Sequence, residues 1–230
     1  MTLNYPTYTQ ASLPDAAPSS TVAISPYVTG TFSGTFSSQS GGAFMGIAQN
    51  GPGYRYELSS ACVSSQESKP LYGGLPIVSL ISQTQGLPRQ IRRATTVGEV
   101  TGFSVINDCP NLIVTANSNC PSIGAPGTIN FFRLGSRAKI ALPIDPALID
   151  LVGQAESQSL SWDFSKNMLT AVIGTGDDGK KSSQPVVSLN VTIHEICPLG
   201  RLATEDGKGN INWTNVQDDA SGRLLALVQI

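Results

Sequence analysis

The chain has 230 residues, 40% of them hydrophobic, with 14 basic and 16 acidic side chains and a formal net charge of −2. That length predicts one domain with a sizeable core, and 13% charged residues, about half the usual ~25%, exclude a coiled coil or a long-helix bundle. So small a charge provides no field to draw the chain onto nucleic acid or an anionic membrane.

Residues 1–42 read as an extended arm. Asp15 is the sole charge before Arg55, Pro6, Pro14, Pro18 and Pro26 forbid helices, and Ser and Thr are frequent. An ordinary disordered tail is highly charged and poor in aromatics. This one holds Tyr5, Tyr8, Tyr27, Phe32 and Phe36 in an almost uncharged background. Either it packs along its own domain or it lies on a neighbouring subunit. In the second case residues 22–29 pair with the neighbour's sheet edge and bury Tyr27.

Residues 43–230 read as a β-rich domain. Strands are predicted over 43–48, 54–63 and 77–81, the last after the Gly73-Gly74 break, then over 99–106, 112–115, 129–134 and 137–142. The clearest alternation is at 187–193, where Val187, Leu189, Val191 and Ile193 share one face. A last strand is predicted over 223–230. Only 146–153 has a helical pattern, and it is short. Short strands at roughly ten-residue spacing predict an all-β fold, an antiparallel β-barrel or sandwich behind an extended N-terminal arm, with helix below about a tenth of residues. No internal repeat of fixed period is visible. Residues 174–183 and 204–210 are turn-rich, charged insertions or hairpin tips.

Chemistry-bearing patterns are few. The single histidine, His194, alternates outward on the 187–193 strand, and Glu195 is expected on the opposite face. No nucleophile elbow, His-Glu-x-x-His, Walker loop or Gly-x-Gly-x-x-Gly motif occurs. Most carboxylates, Asp145, Asp163, Asp206 and Asp219 among them, sit in turn contexts, where Asp bends or caps the backbone. Cys62, Cys109, Cys120 and Cys197 lack metal-type spacing and are expected as reduced, mostly buried thiols, a Cys109–Cys120 link being the alternative. Arg89, Arg92 and Arg93 form the one basic cluster and are expected to form ion pairs with an acidic neighbour. No catalytic residue, cofactor or metal ligand is assigned.

No apolar run approaches the roughly 18 residues that span a bilayer, and the start of the chain has neither the basic nor the apolar part of a signal peptide, so synthesis in the cytosol is expected.

Three stretches together carry a resemblance: VGEVTGFSVI at 97–106, FFRLGSRAKIALPI at 131–144 and SLSWDFSKNMLT at 159–170. Their order, an entry strand, a Gly-centred strand pair and a Trp-Asp hairpin, resembles the capsid cement, or decoration, proteins of tailed bacteriophages. The resemblance implies a structural virion protein on the capsid exterior, made in the host cytoplasm. Its partner would be the major capsid protein, whose subunits it would bridge, and it would be a homo-oligomer, a trimer ahead of a dimer. Contacts with that partner are expected from Tyr5, Tyr8, Tyr27, Arg89, Arg92 and Arg93. The competing class is another head-fibre or tail protein, or a β-sandwich hydrolase or sugar-binding module using Trp162 and Trp213. Against the sugar platform, Leu160, Trp162 and Phe164 alternate onto one face and read as core.

Overall fold

The computed structural model describes residues 44–49, 58–80, 89–106, 120–172, 187–206 and 208–230. Strands make up 49% of them and helix 8%, so the fold is all-β. The helical residues are 3-10 turns at Val97–Glu99, Pro146–Leu151 and Val216–Asp218.

The first barrel is closed from β2 (Ser59–Val63), β4 (Pro76–Leu80), β5 (Gln90–Arg93), β6 (Gly102–Val105) and β8 (Thr128–Arg133), in the order β2-β5-β4-β6-β8. The second uses β9 (Lys139–Ile144), β10 (Gln158–Asp163), β11 (Met168–Ala171), β12 (Leu189–Ile196) and β15 (Leu224–Gln229), ordered β9-β11-β10-β12-β15. A β9–β15 pairing closes that ring as well, and the short β1 (Ala48–Gln49) lies against β9. Outside the rings, β3 (Leu71–Tyr72) pairs with β7 (Ser122–Ile123), and β13 (Arg201–Glu205) forms a hairpin with β14 (Ile211–Asn215).

The two rings have one topology. Numbered within each barrel, both run first-third-second-fourth-fifth, and in both the first and third strands are parallel while every other pairing is antiparallel. The expected antiparallel barrel is therefore two barrels, each with one parallel seam, and the structural repeat has no counterpart in a sequence period.

The wall between the two cores explains the apolar run at 140–144. Ile140, Leu142 and Ile144 belong to the core of the second barrel, whereas Ala141 belongs to the core that includes Ile77, Ile91 and Phe131 of the first. β15 divides likewise, Leu225 to one side and Ala226 and Val228 to the other. A strand buried on both faces needs a continuous apolar run rather than alternation. Pro143 fits there because of ladder parity. Ala141 exchanges bonds with β1's side (Gly46 N to Ala141 O 2.8 Å; Ala141 N to Ile47 O 2.9 Å), and Asp145 N reaches Leu169 O of β11 at 2.8 Å. Residue 143 faces the same edge, between those two neighbours, so its missing N–H costs no ladder bond. Across the barrels, Phe103 meets Trp162 with ring centroids 5.3 Å apart, both rings buried.

Several expectations need correction. Of the described residues in the strand expected over 43–48 only Ala48 lies in one, the two-residue Ala48–Gln49: Phe44 makes a single parallel bridge to Arg201, and Met45-Gly46 turn. That turn requires glycine, since Gly46 has φ +79° and a Cβ there would lie 2.1 Å from the Gly73 carbonyl carbon. The expected helix over 146–153 is a 3-10 turn, Pro146–Leu151, with Asp145 accepting from Ala147 N at 2.9 Å. The strand expected from residue 99 begins at Gly102, because Val97–Glu99 forms a 3-10 turn. Gln90–Arg93, expected only as a basic cluster, is a barrel strand; of the two readings for 204–210, the hairpin tip holds, since β13 and β14 pair on either side of it. The expected arm, strand 112–115, insertion 174–183 and Cys109 lie outside the described residues.

Candidate functional site

The basic cluster is the one sequence-predicted site that the described residues bring together with other charges. On β5 only Ile91 turns fully into the barrel, so Arg92 and Arg93 leave the strand at its surface. Arg92 Nη2 donates to Glu99 Oε2 at 2.7 Å and Nη1 to the Arg93 carbonyl at 2.9 Å. Glu99 also accepts from the Thr95 backbone N–H, from Thr95 Oγ1 (2.7 Å) and from Thr96 N (3.0 Å). The Arg92 guanidinium first, and then these donors, hold its carboxyl down at about 2.

Arg93 is the hub. Its backbone N–H donates to Glu67 Oε2 at 2.8 Å, and Nη2 donates to the Pro70 carbonyl at 2.5 Å. Its guanidinium lies 5.4 Å over the Tyr72 ring, with Glu67 at 4.0 Å and Glu205 at 3.7 Å. Lys69 Nζ adds a 2.7 Å bond to Glu205. Burial pushes the Tyr72 phenol up, the nearby Arg93 charge opposing it. Beyond these, Arg223 Nε and Nη2 grip Asp219 at 3.0 and 2.8 Å, with Nη1 on the Lys166 carbonyl at 3.2 Å. Burial alone would raise the Asp219 carboxyl, but the hydrogen bonds and charge of Arg223 bring it below the usual range.

These groups line an open cleft of about 930 Å³ between β5, the β13–β14 hairpin and the Asp219–Arg223 loop. Lys69, Glu67, Arg92, Arg93, Glu205, Asp219 and Arg223 are ion-paired within the chain. The acidic neighbours expected for the arginines come from this same chain: Glu99 for Arg92, Glu67 and Glu205 for Arg93. Arg89 contributes a backbone carbonyl to Cys62 N at 2.9 Å and stands half-buried at the start of β5. Tyr5, Tyr8 and Tyr27 lie outside the described residues.

The remaining candidate groups are engaged structurally. His194 occupies the register shift between Ile193 and Glu195 and meets Gln229 Oε1 through Nε2 at 3.0 Å. The bulge breaks the alternation expected there, and both His194 and Glu195 are half-buried. Asp163 accepts from Ser165 N, Ser165 Oγ and Lys166 N, and Asp206 closes the β13–β14 tip through Lys208 N, Asn210 N and Asn210 Nδ2. Both carboxyls are lowered by those bonds, Asp163 chiefly by the Ser165 hydroxyl and Asp206 by Asn210. Cys120 and Cys197 are buried free thiols, Cys62 a half-buried one. Burial raises both buried thiols, Cys197 to about 12. Among the described residues no group of three or more His, Cys, Asp or Glu side chains converges as a metal site, and no helix is long and apolar enough to cross a membrane.

Trp162 is 3% exposed within the second barrel's core, and Trp213 is half-buried, its ring 4.9 Å from that of Phe44 at 70°. Trp162 offers no open ring face to stack on a sugar. The Phe44–Trp213–Arg201 corner and the partners of Arg93 were missed in the sequence, since no local pattern links residues so far apart. Comparison with protein-family models, with curated proteins and with solved structures finds no match to this chain.

Proposed function

We propose that this chain is a non-enzymatic virion structural protein, a capsid cement or decoration protein that binds the outside of a phage head and bridges major capsid subunits. The observation that carries the reading is the pairing of two very different parts. Behind lies a doubly buried two-barrel body, its titratable groups held in turns and ion pairs. Ahead lies a 42-residue segment with one charge and several aromatic side chains. A stiff body with an adhesive, proline-kinked leader suits a protein that spans a seam between larger subunits. The resemblance of 97–106, 131–144 and 159–170 to cement proteins points the same way.

In this role residues 1–30, with Tyr5, Tyr8 and Tyr27, contact the major capsid protein or a neighbouring copy, and 22–29 adds a strand to a sheet edge there. Ordering an extended arm costs entropy, so affinity comes from many copies acting on one lattice. The protein acts as a homo-oligomer, a trimer ahead of a dimer, and requires no cofactor.

The test is co-sedimentation of purified protein with emptied phage heads, full chain against a chain lacking residues 1–30. The full chain is expected to saturate the heads and to raise their resistance to heat, with the truncated chain binding far more weakly. Equal binding by both chains would remove the arm from the mechanism, and no binding by the full chain would refute the capsid role.

A further inference from the structure

Both barrels contribute to the cleft. Its first wall is β5 and the stretch 66–72 of the first barrel, and its second is the β10–β11 turn, the β13–β14 hairpin and residues 218–223 of the second. Ligand sites favour such junctions, and a volume of about 930 Å³ lies within the range of small-molecule sites, roughly 300–1,000 Å³. The lining passes from buried residues, Tyr72, Ala203 and Arg223, to exposed ones, Lys69, Ser165 and Ser221.

The ion pairs of the cleft cancel charge without using up hydrogen bonds. Five basic and four acidic side chains line it, and Glu99, paired with Arg92 at 2.7 Å, supplies a fifth carboxylate. Arg93 stands 4.0 Å from Glu67 through Nε and 3.7 Å from Glu205 through Nη1, both beyond hydrogen-bond length. Its Nε is buried with no acceptor among the described residues. On the acidic side, Glu67 Oε1 receives only a long 3.5 Å bond, from Lys69 N. Arg223 places N–H groups on Asp219 and the Lys166 carbonyl and has others to spare. The cleft thus holds spare donors beside spare acceptors, in fixed positions and with no net field.

That combination selects a class of ligand. An anion drawn to Arg93 meets Glu67 and Glu205, and a cation drawn to those carboxylates meets Arg93 and Lys69. A hydroxyl group carries no charge and both donates and accepts at one atom, so it suits both sides. A sugar ring presents several hydroxyls side by side and an apolar C–H face. For that face the lining supplies the half-buried Phe164 together with Ala94 and Ala220. We propose that the cleft binds a short neutral oligosaccharide, whose hydroxyls donate to Glu67 and Glu205 and accept from Arg93, with a sugar ring against Phe164. The site is separate from the capsid role, and no head is needed to test it.

The test is NMR titration of the full-length protein with neutral trisaccharides of glucose, galactose, mannose and N-acetylglucosamine, beside a galacturonate trisaccharide. At least one neutral probe is expected to move the amide signals of Arg93, Glu205 and Ser165 saturably, with a Kd of about 1 mM or tighter. Full-length Glu205→Ala is expected to bind that probe at least about fivefold more weakly. His194→Ala, on β12 outside the cleft, is expected to bind it as the unmodified chain does. The dispersion of the amide spectrum reports whether each variant is folded, and the location of the shifts in the unmodified chain tests the site without either variant. No saturable shift with any neutral probe up to about 10 mM would overturn the proposal. So would shifts centred away from the cleft, or undiminished binding by a folded Glu205→Ala. Tighter binding of the galacturonate than of every neutral probe would overturn it as well, by assigning the cleft to anions.

Discussion

Replacing Phe103 by Ala tests whether the two barrels form one cooperative body. Phe103 is fully buried on β6 of the first barrel, yet its ring packs on Trp162 of the second and belongs to the second barrel's core. A buried aromatic side chain covers roughly 150–250 Å², which at about 25 cal/mol per Å² is about 4–6 kcal/mol of transfer free energy. The cavity left behind is partly relieved by relaxation, and measured Phe→Ala losses in cores fall at about 3–5 kcal/mol. For a chain of this size that lowers the melting temperature by roughly 10 °C. Calorimetry on the full chain is expected to show one transition before and after the change, because the β9–β15 wall is common to both cores. Two resolved transitions, or a loss under about 1 kcal/mol, would refute the shared-wall account.

Asp219→Asn leaves the Arg223 guanidinium, 6% exposed at its side chain, without its counter-charge. Denaturant titration should show a loss of about 3 kcal/mol, the low end for stripping a partner from a buried ion. The Asp219 carboxyl is lowered in the folded chain, so its contribution is present above the ordinary aspartate range and is lost as pH falls through the folded value. Glu99 behaves the same way with a folded value of about 2, and a carboxyl titration followed by NMR should find its midpoint near there rather than above 4. Thiol reagents should modify Cys120 and Cys197 only after denaturation, with Cys62 reacting sooner, and reductant should leave the mass unchanged. Labelling of Cys197 in the native chain at the rate of Cys62 would contradict its burial.

The parts of the fold legible in the sequence are those where side-chain period equals strand environment. β12 alternates because one face is wet at Asn190 and the other is the barrel interior at Leu189, Val191 and Ile193. The Gln158–Asp163 and Met168–Ala171 hairpin stands where the Trp-Asp pattern suggested, with Asp163 opposite Met168 across the turn. β5 was opaque because three of its four side chains are polar and only Ile91 fills the barrel, so the pair of arginines outweighed the strand signal. β3 and β7 have two residues each, too short for any period. The cleft was illegible for a different reason. Glu67, Arg93 and Glu205 meet only because β5 and the β13–β14 hairpin pack together, and their sequence neighbours carry no trace of it.

Closure of both barrels has a consequence for how this protein can attach to anything by strand pairing. A closed ring has no edge, so the ten ring strands offer a partner almost nothing along their backbones. Whatever edge exists among the described residues belongs to the excursions between ring strands, and these differ between the two barrels. Among the described residues between its fourth and fifth strands, the first barrel has the two-residue β7, paired with β3. The second barrel, at the same topological position, makes the five-residue hairpin β13–β14. The repeat thus confers the same ring twice, while the described excursions at this position differ in length. The apolar corner at Phe44 and Trp213 lies on that hairpin, Phe44 bridged to the outer side of β13 and its ring against Trp213 of β14.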